Sequence, residues 1–127
     1  MKIFLVFISL FFSFQFAQAQ TESNELISIE SVSKKWIFSD LINEKFSKEE
    51  YEEAKDLLSA TEIVFRKDKT FTFSFIADLD GTWELNKNII TTKDRRGTNT
   101  WTIHKLSSNE IIMSRNDSHQ KMIFKSN

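Results

Sequence analysis

The chain has no cysteine and no proline, and only two glycines and two histidines among its 127 residues. Without cysteine there are no disulfides and no thiol for lipid attachment, so stability has to come from packing alone. His104 and His119 are far from any metal-ligand spacing such as His-x-x-x-His, so the sequence offers no metal site and calls for no cofactor. A formal charge of −1 without a basic stripe argues against nucleic acid, whose binding needs clustered Lys and Arg. Strands can run uninterrupted where proline is missing and glycine is confined to Gly81 and Gly97.

The first residues are of another kind. Met1-Lys2 is followed by an apolar run from Ile3 to Phe16 and then by Ala17-Gln18-Ala19. A basic start, a short apolar stretch and a small-x-small site are the parts of a secretory signal peptide, and the run is shorter than the ~20 residues a spanning helix needs. The expectation is a signal peptide over residues 1–19, a flexible segment over 20–30, and one domain over 31–127. The product would be a periplasmic or secreted monomer with no membrane span. Six of the 13 Phe lie in the removed stretch, yet the remainder is still rich in rings.

Those rings fall in a pattern. Phe71, Phe73 and Phe75 alternate with Thr70, Thr72 and Ser74, which puts three rings on one face of a strand and three hydroxyls on the other. Asp78-Leu79-Asp80-Gly81 then reads as a type I turn with Gly81 in the left-handed position, setting Ala77 opposite Trp83 and Phe75 opposite Leu85. Asp94-Arg95-Arg96-Gly97 repeats the arrangement, so both glycines are expected at positive φ. A loop at Lys67-Asp68-Lys69 sets Phe65 opposite Phe71, and three-residue loops at Asn86-Lys87-Asn88 and Ser107-Ser108-Asn109 set Leu85 opposite Ile89 and Ile103 opposite Met113. Thr91 then lies beside Trp101. In the last hairpin a three-residue loop would put Met122 and Phe124 on the wrong face, and an even-length turn would correct this.

One helix interrupts the strands. Ser47 as N-cap, Glu50 three residues later and the pair Phe46 and Tyr51 form a capping box with a hydrophobic staple, and the spacing predicts a helix over about residues 48–59. Its apolar stripe of Tyr51, Ala54, Leu57 and Leu58 is too narrow for deep burial. Eight strands follow from the alternation, at about 31–39, 61–67, 70–77, 82–86, 88–93, 99–106, 110–115 and 119–125. The fold class is mainly β: an eight-stranded antiparallel up-and-down barrel with one α-helix between the first and second strands, closure removing the sheet edges.

Lys35-Trp36 in the first strand, Glu62-Ile63-Val64-Phe65 leading through Lys67-Asp68-Lys69 to Thr70-Phe71, Gly81-Thr82-Trp83 and Trp101-Thr102-Ile103 together resemble the lipocalin-like family of small secreted domains common in Bacteroidetes. The resemblance covers about residues 33–125. It implies an eight-stranded barrel, a fold in which several members hold a small apolar molecule.

Trp36, Phe65, Phe71, Phe73, Phe75, Trp83 and Trp101 are the candidate ligand-binding residues, with Phe38, Ile63, Leu85, Ile89, Ile103, Ile111 and Met113 completing the inward set. An eight-stranded barrel has room either for its own side chains or for one small ligand. The expected function is therefore a secreted, non-catalytic binding module for a small hydrophobic or amphipathic ligand. The alternative is a protein-interaction module, such as an inhibitor or envelope accessory domain, with a filled core and a protein partner gripped by loops such as Arg95-Arg96. No catalytic residue is assigned: Asp78 and Asp80 are explained by their turn, and His104 alternates to the solvent side.

Overall fold

In the computed structural model, residues 26–126 are described. Two short-range signals start the fold. Ser28 caps a single helical turn, α1 (Ile29–Val32), its hydroxyl accepting from the Ser31 N–H at 3.1 Å while the Ser31 hydroxyl accepts from the Ser28 N–H at 2.8 Å. The segment expected to be a flexible lead-in thus ends in a helix, and the first strand, β1 (Lys35–Ile42), begins four residues later than the alternation suggests. Ser47 and Glu50 make the expected capping box at the start of α2 (Lys48–Leu58), with bonds of 3.2 and 2.9 Å. No residue of α2 is buried, as its narrow stripe implies.

Seven more strands follow: β2 (Glu62–Phe65), β3 (Thr70–Ser74), β4 (Asp78–Asn86), β5 (Ile89–Asp94), β6 (Gly97–Leu106), β7 (Glu110–Arg115) and β8 (Lys121–Lys125). Each pairs antiparallel with the next, and β8 returns to pair with β1, so the sheet closes into a barrel in simple up-and-down order. The fold is mainly β, with one full helix in the crossover between β1 and β2. Closure leaves no sheet edge to pair with another chain.

The register confirms some expected pairs and corrects others. Phe65 faces Phe71 and Ile103 faces Met113. The last hairpin has the even-length turn that the apolar pattern requires: Asn116 and Asp117 take φ of 49° and 59°, the Ser118 N–H donates to the Arg115 carbonyl at 3.0 Å, and Met113 faces Met122. Elsewhere the turns are shorter or displaced. Lys87-Asn88 is a two-residue turn with Lys87 at φ 58°, so Leu85 faces Ile90 rather than Ile89. Arg95-Arg96 is likewise a two-residue turn, which sets Ile90 opposite Trp101 and Thr91 opposite Thr100. These two changes offset each other in phase: Ile90 is completely buried and Ile89 is 40% exposed.

The first aromatic hairpin turns earlier than Gly81. Ser74 faces Asp78 across Phe75-Ile76-Ala77, and Gly81 lies inside β4 opposite Phe71. Gly97 has the expected positive φ, at +136°, but Gly81 does not. Gly81 serves close approach instead: a Cβ there would overlap the Lys93 carbonyl oxygen of β5 and lie 2.8 Å from Phe71 Cε1.

Two bulges let single strands keep feeding the interior. After Phe38 the register with β8 slips by one, so that Leu41 turns inward, and after Ile103 a similar slip against β7 brings Leu106 inward. The resulting core runs through the lumen, from Val32 and Trp36 to Met113 and Phe124.

Candidate functional site

The strand directions give the barrel two unlike ends. One carries α1 and the β2–β3, β4–β5 and β6–β7 turns; the other carries α2 and the β3–β4, β5–β6 and β7–β8 turns. The first end is closed. Val32 and Trp36 are completely buried there, and the Trp36 indole N–H donates to the Val32 carbonyl at 2.9 Å. The Lys34 ammonium donates to the Ser108 carbonyl at 2.7 Å and ties α1 across to the β6–β7 turn. Trp83 is equally buried, its indole N–H donating to the Arg66 carbonyl at 2.9 Å and its ring centroid 5.1 Å from that of Phe65. Phe71 packs beside Phe65 at 6.4 Å. Of the seven candidate ligand residues, Trp36, Phe65, Phe71 and Trp83 therefore sit in a filled core whose indole N–H groups are already bonded to the backbone.

The helix-bearing end is open. Two clefts of about 300 Å³ each enter it, sharing Phe73, Phe75 and Arg115. The first is walled by Leu58 and Thr61 at the end of the α2 crossover and by Trp101, Met122 and Phe124 of the barrel. The second is walled by the β3–β4 turn, Leu79, Asp94, Arg96 and Asn99. Phe73 and Trp101 stand edge to face at 6.0 Å and 84° and form the aromatic floor. Phe75 has left the strand and stands at the rim, 37% exposed. The three remaining candidates, Phe73, Phe75 and Trp101, are thus brought together here.

Arg115 is the residue the sequence reading passes over. Ile111, Met113 and Arg115 alternate along β7, and the first two are buried in the lumen. Arg115 continues that inward phase to the mouth, where its guanidinium carbon lies 5.3 Å from the Phe73 ring centre and 5.4 Å from that of Trp101. Its Nε is buried with no hydrogen-bond partner, and so is the hydroxyl oxygen of Thr61 in the same cleft. Burial pulls the Arg115 pKa down from its usual value while the negative charge of Asp94 opposes the change. The group remains a cation. Among the described residues it has no carboxylate within ion-pair distance. The sequence signal for Arg115 is a cation in the inward phase of a strand whose other inward positions are apolar.

The crossover that supplies Leu58 and Thr61 is tied to the barrel at Asp40. The Tyr51 hydroxyl donates to Asp40 Oδ1 at 2.6 Å, the Leu41 N–H donates to the same oxygen at 2.8 Å, and the Lys55 ammonium lies 3.9 Å away. The Tyr51 hydrogen bond is the main reason that the Asp40 carboxyl titrates below its usual range, and it raises the Tyr51 pKa in turn. Leu58 is partly buried against the core, whereas Leu57, counted in the same stripe from the sequence, is 66% exposed.

Other candidate chemistry is accounted for structurally. Asp78 and Asp80 lie in β4, not in a turn, and accept hydrogen bonds of 2.7 Å from Ser74 and Thr72, their cross-strand partners. His104 is exposed at the β6 bulge, with Nε2 2.5 Å from the Ser114 hydroxyl, and partial burial followed by the nearby Lys121 charge lowers its pKa. Arg95 and Arg96 are exposed at their turn, with Arg96 on the wall of the second cleft. Among the described residues no group of three His, Asp or Glu could hold a metal ion, and no helix is long and apolar enough to cross a membrane.

Fold and site together define a closed antiparallel barrel that is filled at one end and open at the other, where Arg115 stands over an aromatic floor. A solved structure of a DUF4847 family protein from Bacteroides vulgatus ATCC 8482 is similar, with a TM-score of 0.55 and 16% identity over 76% of this chain and 94% of that one. At that identity the likeness is one of fold. No family model matches the chain, and no curated protein matches it.

Proposed function

We propose that this protein is a secreted or periplasmic, non-catalytic, lipocalin-like carrier that holds a small hydrophobic or amphipathic molecule in the open end of its barrel. The observation that carries this reading is the division of the lumen: one end packed solid, the other keeping two clefts of about 300 Å³ against an aromatic floor. Each cleft lies at the small end of the ~300–1,000 Å³ range of ligand pockets, and apolar walls with a few convergent polar groups are the usual composition of such sites. Ligand contact falls to Phe73, Phe75 and Trp101, while Trp36, Phe65, Phe71 and Trp83 supply the rigid base beneath them.

The test is titration of the mature protein with the neutral fluorophore N-phenyl-1-naphthylamine. Saturable enhancement at one equivalent, weakened by Phe73→Ala, is the expected result; no enhancement at any protein concentration would end the carrier reading. The second reading, an interaction module gripping a protein partner, is favoured by the apolar rim, where Ile76 is 85% and Leu57 66% exposed. A protein that binds no apolar probe and loses a co-purifying partner on Ile76→Ser would support it.

A further inference from the structure

We infer that the open-end site selects an apolar monocarboxylic acid, with its carboxylate docked on the Arg115 guanidinium and its apolar body lying along Phe73 and Trp101. The inference rests on the carrier reading above and gives the ligand its chemistry.

Arg115 has no protein partner for its Nε–H and no carboxylate within ion-pair distance among the described residues. The two aromatic rings lie near the guanidinium at 5.3 and 5.4 Å, an arrangement in which ring faces attract the cation but accept none of its in-plane N–H bonds. Asp94, the acidic group that acts on it, is too distant to pair and already accepts the Arg96 backbone N–H at 2.7 Å. The Nε is buried and unbonded. A buried donor left without a partner is unfavourable, and a barrel of this size could fill the inward position with another Ile or Met and avoid it. A planar fork with free in-plane donors matches a carboxylate, which can accept two parallel bonds from it.

A second observation points to the same cleft. Thr61 is 1% exposed and its hydroxyl oxygen is also unbonded. Among the described residues these are the buried side-chain polar atoms that lack a partner, and both belong to residues lining the first cleft. The remaining walls include Leu58, Phe73 and Met122, which offer contact to an apolar body, and the uncharged Asn116, Ser118 and Gln120; no charged side chain besides Arg115 lines this cleft to receive a second carboxylate. A cleft of about 300 Å³ suits a single chain or ring system rather than a two-chain lipid.

The experiment is competition on the mature protein: decanoate and 1-decanol are each used to displace N-phenyl-1-naphthylamine, in the wild type, in Arg115→Met and Arg115→Lys, and in Lys105→Met, a control at an exposed cation near the closed end of β6 that lines neither cleft. Decanoate should displace the probe at a concentration at least tenfold below that of decanol in the wild type and in Lys105→Met. Arg115→Met should bring the two competitors within twofold of each other, each measured against that variant's own probe affinity, and Arg115→Lys, which retains the charge without the fork, should fall between. The wild-type ratio decides the question even where a variant fails to fold. Equal displacement by the acid and the alcohol in the wild type, or an undiminished preference for the acid in folded Arg115→Met, would overturn the inference and leave the carrier reading standing. Absence of probe binding to the wild type would remove both.

Discussion

Replacing Gly81 with alanine should damage this barrel far more than a methyl group normally does. The added Cβ would overlap the Lys93 carbonyl oxygen and stand 2.8 Å from Phe71 Cε1, so the backbones of β4 and β5 must separate rather than a side chain swing away. Overpacking of this kind costs about 1–3 kcal/mol, and loosening one or two ladder bonds adds about 0.5–1.5 kcal/mol each. Alanine recovers about 0.4–1 kcal/mol by restricting the unfolded chain. The net loss is then on the order of 2–3 kcal/mol, which at ~4–8 °C per kcal/mol for a domain of this size is a drop of roughly 10–20 °C in Tm. Thermal unfolding followed by circular dichroism reads this directly, and Gly81→Asn separates the two conceivable causes. If glycine were needed for a left-handed turn, Asn would be milder than Ala; crowding by a neighbouring strand makes it at least as harmful. A Gly81→Ala protein melting within two or three degrees of wild type would refute the close approach of β4 and β5.

Further expectations follow from individual packing and charge relations. Ile90→Ala should cost about 2–5 kcal/mol as a cavity in a closed core, and Ile89→Ala less than about 1 kcal/mol, since Ile90 is completely buried and Ile89 is 40% exposed; chemical denaturation of the two variants checks the register, and the opposite order would contradict it. Asp40 has its pKa lowered in the folded protein, chiefly by the Tyr51 hydroxyl, so its contribution is fully present above the ordinary aspartate range and lost as pH falls through the folded value. Asp40→Asn should therefore melt below wild type at neutral pH, with the gap closing below about pH 4; a gap that stays constant to pH 3 would exclude this linkage. Ser47→Ala should lower stability by about 1 kcal/mol through the lost cap of α2, measured by urea unfolding.

The barrel was legible because alternation over short segments and a single capping box are local signals: they gave eight strands and α2, although β1 and β4 start elsewhere than expected and the α1 turn was missed. Register was less legible, for a physical reason visible in the turns. Lys87 occupies a left-handed position at φ 58°, where a rule keyed to glycine and asparagine would not look for it. Gly81, conversely, is glycine because another strand lies against it, a long-range cause that no neighbouring residue announces. Aromatic composition made the lumen recognisable but could not divide it. Whether an inward ring belongs to the packed base or to the open mouth depends on which end α1 closes, and the α1 turn rests on Ser28 and Ser31 in a stretch with few apolar residues. Arg115 was readable in principle from the Ile111, Met113, Arg115 phase, but a cation in the last position of a strand ordinarily marks a solvated end.

The three tryptophans provide the most direct test, since they sample both halves of the lumen. Trp36 and Trp83 lie in the packed base with indole N–H groups bonded to backbone carbonyls, whereas Trp101 forms the floor of the open cleft beside Phe73 and Arg115. In a proton–nitrogen correlation spectrum of the protein titrated with decanoate, the Trp101 indole signal should move saturably while those of Trp36 and Trp83 stay in place. Shifts at Trp36 or Trp83 equal to those at Trp101, or no shift at any of the three, would contradict a ligand site at the open end.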